Sequence, residues 1–141
     1  MGQFDGFFKS VFTDIKDILE SNYSDDFEDI VIGPYQINDL DYPCVHIIPD
    51  RSSYQGRSEY TTEVDIFFYF ERSNKDYSFM DNQTTVESTL EDIIKELDSN
   101  SNVTEFKINE LEYFAGDVGQ VLLNIIRVNI SCSGLIEYAD F

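Results

Sequence analysis

One histidine, two cysteines and a run of carboxylates are the residues of this chain best equipped for chemistry. His46 stands two positions from Cys44 in the stretch Tyr42-Pro43-Cys44-Val45-His46-Ile47-Ile48. Residues two apart on a strand share a face, so the two could form a thiol–imidazole pair. No Ser or Cys motif and no orienting third group accompanies them, and a structural histidine within an apolar strand explains the same residues more simply. Cys44 and Cys132 each lie in apolar runs, as small buried hydrophobes do, and no CxxC spacing marks a redox or metal pair. Asp25, Asp26, Glu28 and Asp29 are the densest acidic cluster. They lack the central glycine and distal glutamate of a calcium loop, so the cluster reads as a solvated loop. A divalent-metal enzyme built on it stands as a rival reading. No GxxxxGK[ST], GxGxxG or GxSxG pattern occurs, and Gly116-Asp117-Val118-Gly119 reads as a lone turn. The expectation is a protein that is not an enzyme, with no catalytic residue, no bound metal and no cofactor.

The second anomaly is positive charge. Arg51 and Arg57 are two of only four arginines, and they bracket Ser52-Ser53-Tyr54-Gln55-Gly56. Arginine and tyrosine are enriched in protein interfaces. Besides the plain reading of a solvated connection, Arg51, Tyr54, Gln55 and Arg57 are therefore candidate subunit-interface residues, meeting the acidic face of a neighbouring copy.

These residues must be positioned by regular elements. Phe4, Phe7, Phe8, Val11, Phe12, Ile15, Ile18 and Leu19 follow the spacing of one helical face over residues 4–22. Ile30-Val31-Ile32 is a short strand stopped by Gly33-Pro34, and residues 44–48 form another, with Pro43 at its start, where no ladder donor is needed. Residues 51–58 read as a hairpin connection. Residues 60–71 alternate most clearly: Tyr60, Thr62, Val64, Ile66, Phe68 and Phe70 point one way. Phe67 and Tyr69 make the other face partly apolar, so something must cover it there. Residues 73–82 read as a polar loop, and Thr84 with Glu87 as a capping box opening a helix with Val86, Leu90, Ile93, Ile94 and Leu97 on one face. That helix stops at residues 98–102. Residues 103–114 and 120–136 read as strands joined by a turn at 115–119. The chain is expected to be a single α+β domain, residues 1–141, with an antiparallel β-sheet, two helices packed on one face and the order α-β-β-β-α-β-β.

Composition narrows the partners. The 141 residues carry 28 Asp and Glu against 9 Lys and Arg, a formal charge of -19. Such a surface repels nucleic acid and anionic membranes at long range. It suits either an ordinary acidic protein or one adapted to a high-salt interior, where charge keeps a surface soluble. The 12 Phe and 9 Tyr argue against global disorder. No apolar run reaches the ~18 residues of a membrane span. The start Met-Gly-Gln-Phe-Asp-Gly has neither a basic leader region nor the hydroxyl residue of a myristoylation signal.

The layout resembles a known family. An amphipathic helix, the Tyr42-Pro43-Cys44-Val45-His46-Ile47-Ile48-Pro49 strand, a hairpin with a long alternating strand, a helix through Val86-Glu87-Ser88-Thr89-Leu90-Glu91-Asp92-Ile93-Ile94-Lys95-Glu96-Leu97 and a terminal β-hairpin follow in the order seen in tail terminator (tail completion, or neck) proteins of long-tailed viruses. The resemblance implies a virion protein, assembled in the host cytoplasm. Six copies would form a ring capping the tail tube and joining it to the head connector, with DNA passing through without specific binding. The acidity would fit a virus of a haloarchaeal host. Another ring protein of the head–tail connector, or a small acidic ligand-binding or regulatory α+β domain, are the alternatives.

Overall fold

A computed structural model describes residues 3–33, 41–55, 59–72, 78–99, 103–118 and 120–135. The elements are α1 (Gln3–Tyr23), β1 (Asp29–Ile32), β2 (Cys44–Gln55), β3 (Glu59–Glu71), α2 (Ser78–Ser99), β4 (Glu105–Val118) and β5 (Val121–Leu135). The chain order is the expected one, and the fold is a mixed α+β arrangement of two helices and a five-stranded sheet ordered β1-β2-β3-β5-β4.

One expectation is corrected. The sheet is not fully antiparallel, because β1 runs parallel to β2, pairing Asp29 with Cys44 and Ile32 with Ile47. The other three pairings are antiparallel. Residues 33–43 give the chain enough length to return to the starting end of β1, which a tight hairpin would not allow. Gly33 takes a φ of 103°, a left-handed conformation open to glycine. Its amide donates to the Ile47 carbonyl at 2.9 Å.

Both helices cover one face of the sheet. Val11, Phe12, Ile15 and Leu19 of α1 and Val86, Leu90, Ile93 and Leu97 of α2 are buried in one core with Val45, Ile47, Val64, Ile66, Phe68, Ile126, Val128 and Ile130. Strand register explains the set. Val45, Phe68, Ile126 and Tyr113 stand side by side across four strands, as do Ile47, Ile66, Val128 and Leu111. The side chains of Phe4, Phe7 and Phe8 lie outside the described residues. Tyr23 closes the helix pair by donating its hydroxyl to Asp92; burial, helped by that hydrogen bond, pushes the phenol up to about 12.

Three boundaries differ from those read in the sequence. α2 starts at Ser78, so part of the expected polar loop is helix. Thr84 is inside that helix, not at its cap: its hydroxyl donates back to the Met80 carbonyl at 3.0 Å, the alternative use of a threonine in a helix. β2 runs on to Gln55 and β4 on to Val118, so most of the expected connection at 51–58 and turn at 115–119 is strand.

Candidate interaction face

The other side of the sheet carries Cys44, His46 and a polar network, and register sets it out in rows across β2, β3, β5 and β4. The first is Cys44, Tyr69, Ile125 and Phe114; the next His46, Phe67, Arg127 and Glu112; then Ile48, Asp65, Asn129 and Glu110; then Arg51, Glu63, Ser131 and Lys107; then Ser53, Thr61, Ser133 and Glu105. The face thus grades from aromatic, through charged, to hydroxyl-bearing.

At the aromatic end, Cys44, Tyr69 and Leu123 are buried in a second small cluster flanked by Tyr42, Phe67 and Ile125, to which neither helix contributes. The rings of Phe67 and Tyr69 stack at 6.0 Å. The expected covering of this part of the face is met for Tyr69, 4% exposed, while Phe67 is half-buried.

The centre is one connected polar network. Arg127 lies 2.8 Å from Asp65 and 3.6 Å from Glu110, and it donates to Glu112. Asn129, buried, donates to Asp65 at 2.9 Å and to Asp50 at 3.2 Å, while its carbonyl oxygen accepts from Asn109 at 2.8 Å. Asn109 also donates to Ser131 at 2.6 Å. Asp50 and Asn109 sit at the two breaks in strand register, Pro49/Arg51 and Ile108/Glu110. A bulge re-aims a side chain that would otherwise follow the alternation. Here both bulged residues feed the same asparagine from opposite flanks. Arg127 was not singled out from the sequence; its signal was a lone charge in the apolar run Ile125-Ile126-Arg127-Val128.

The reactive groups are placed as follows. His46 is buried, edge-on to Tyr69 at 6.3 Å, and burial lowers its pKa, so the imidazole is neutral at pH 7. Burial pushes both thiols up to about 12, with Asp29 and Asp41 adding to the effect at Cys44. Such a thiol is not a thiolate at neutral pH and makes a poor nucleophile. Cys44 and Cys132 belong to separate clusters on opposite sides of the sheet, and both are free. In native protein neither should react with an aromatic disulfide reagent such as DTNB; unfolding in guanidinium should release two equivalents. Rapid reaction of one thiol in the folded state would contradict this burial.

Asp25 and Asp26 are exposed in the turn after α1, and Asp29 opens β1, its carboxylate accepting from the Asp41 amide at 2.6 Å. Among the described residues, no three or more His, Cys, Asp or Glu are gathered where they could hold a metal ion. No described helix is long and apolar enough to cross a membrane.

Of the expected interface residues, Arg51 falls at the hydroxyl end. Arg51 is not on a loop tip: it follows the β2 bulge, and its Nε donates to Glu63 of β3 at 2.6 Å while the side chain stays 75% exposed. The backbones of Tyr54 and Gln55 pair with Tyr60 and Glu59. The side chains of both, and Arg57 altogether, lie outside the described residues. A scan against models of known protein families finds no match, and a comparison with curated proteins finds none.

Proposed function

We propose that this protein is a structural subunit of a ring in a virion, capping the tail tube of a long-tailed virus and joining it to the head connector, with the genome passing through the lumen. The observation that carries the reading is the division of labour across the sheet. One face is filled by two helices; the other is a built surface, internally hydrogen-bonded through Arg127, Asp65, Asn129 and Asn109. A face ordered this way, with its thiol, Cys44, protonated and its histidine, His46, buried, suits assembly better than catalysis. The element order, shared with the tail terminator proteins the sequence resembles, supports the same reading. DNA would slide past an acidic lumen without sticking.

Copies carrying -19 each repel one another, so contacts need local positive charge or screening. Arg51, although paired with Glu63, keeps most of its surface in solvent and can be shared with a neighbour's carboxylate. Size-exclusion chromatography with light scattering across a salt titration tests this. The expected result is a species of six subunits that strengthens as salt rises and that Arg51→Glu with Arg57→Glu weakens without unfolding the subunit. A monomer or dimer at every salt concentration would remove the ring reading. Assembly unchanged in the double variant would remove the hairpin contact alone.

A further inference from the structure

β4 is the last strand of the sheet, hydrogen-bonded along one side to β5 over its length. Among the described residues nothing pairs with its other side. A free strand edge is a row of unpaired amides and carbonyls that templates another strand, and proteins usually keep such edges short or covered. This one spans 14 residues.

The edge is also shaped. An open cleft of about 430 Å³ lies between the start of α2 and the outer half of β4, lined by Phe79, Met80, Gln83, Tyr113, Phe114 and Ala115. Met80 is 63% exposed and Tyr113 47%. Tyr113 is on the helix side of the sheet, in the row of Val45, Phe68 and Ile126. Glu112, the next residue back, is on the opposite face with Arg127, and Glu110 follows it there. The charge is unbalanced at that point. Among the described residues, Arg127 is the one cation paired with Asp65, Glu110 and Glu112, and Glu110 remains 55% exposed.

We propose that the β4 edge is a docking site for an extended, basic segment of another protein, which adds as a sixth strand. Strand addition takes affinity from main-chain hydrogen bonds and specificity from pockets for alternate side chains. The alternation required of the partner can be read off β4. Side chains on the helix side drop an apolar anchor onto Phe79, Met80 and Tyr113. Side chains on the other face set lysine or arginine against Glu110 and Glu112, supplying the cation that Arg127 does not. A second copy of this chain is the poorer occupant. Its own β4 would bring Glu105, Glu110, Glu112 and Asp117 against the same residues, with Lys107 the single cation. The site does not depend on the ring, since a lone subunit presents it equally.

The test is fluorescence anisotropy at near-physiological salt with a labelled ten-residue peptide alternating lysine with leucine or valine. A second peptide of the same sequence, N-methylated on alternate backbone amides, keeps charge and side chains but loses the donors along one edge. The first should bind saturably. The N-methylated peptide, and the Met80→Glu or Glu110→Lys protein with the first peptide, should each bind at least tenfold more weakly. Equal binding of both peptides would reduce the effect to attraction between opposite charges, and lack of saturable binding by the first would remove the site; either overturns the proposal. So would self-association abolished by Met80→Glu without peptide, which would make the occupant a second copy. Because the ring is read from mass and this site from peptide binding, either can fail alone.

Discussion

Replacing Phe68 by alanine should destabilise the protein by about 3–5 kcal/mol, the range for truncating a large aromatic in a packed core. Phe68 has no exposed surface and is the largest of the fully buried side chains among the described residues. It lies in the C-terminal half of β3, the central strand of the sheet, with Val45 and Ile126 beside it. The ring of Phe27, from the segment between α1 and β1, tilts against it at 5.9 Å. Neighbours on two strands and a turn cannot all collapse into the space the ring would leave, so the cavity term adds to the lost burial. A domain of this size has a total stability of about 5–15 kcal/mol, so the variant should unfold at much lower urea with little change in slope. Met80→Ala, at an exposed position on α2, is the internal control and should stay within about 0.5 kcal/mol of the parent. A loss below about 1 kcal/mol for Phe68→Ala would mean that the helices do not pack on this face as described.

What was legible in the sequence is what strong periodicity writes. The alternation from Tyr60 to Phe70 and the helical spacing from Val11 to Leu19 each bury one face, and the structure buries those faces. Three features were not legible, each for a physical reason. The run Arg51-Ser52-Ser53 is polar enough to read as a loop, yet it is strand, because its partners are polar too: the Ser52 hydroxyl donates to Thr62 at 3.1 Å, and Arg51 pairs with Glu63. The bulges at Asp50 and Asn109 depend on a register visible only once both strands are placed. Parallel pairing of β1 with β2 depends on the path of the chain between them, which four residues of strand cannot encode. The candidate face followed from these failures. Its network is assembled by the two bulges, and its centre, Arg127, is a single charged residue in an apolar run, which periodicity alone treats as an exception.

Arg127→Gln should cost about 2–3 kcal/mol, less than the ~3–5 kcal/mol for breaking a fully buried ion pair, because its side chain and its partners keep some contact with water. The side chains of Arg127 and Asp65 are 20% and 13% exposed, and that of Glu112 is 39%. Without the guanidinium on β5, Asp65 of β3 and Glu110 and Glu112 of β4 would face one another across that strand in a protein already at -19. Glutamine has the length to donate one hydrogen bond but brings no charge, so what the variant reports is chiefly the electrostatic part. Two consequences separate this account from a simple loss of packing. Raising salt to about 1 M, where the screening length falls to about 3 Å, should shrink the deficit, since what remains is repulsion between partly solvated carboxylates. Adding Glu112→Gln to Arg127→Gln should recover about 1 kcal/mol, although Glu112→Gln alone should destabilise the parent by removing a partner of the arginine. A double-mutant cycle in urea, run at low and high salt, measures both. If the deficit is unchanged by salt and the second change only adds to the first, Arg127 acts through the packing of its stem against Phe67, opposite it on β3, and the charge balance assigned to the centre of this face is wrong.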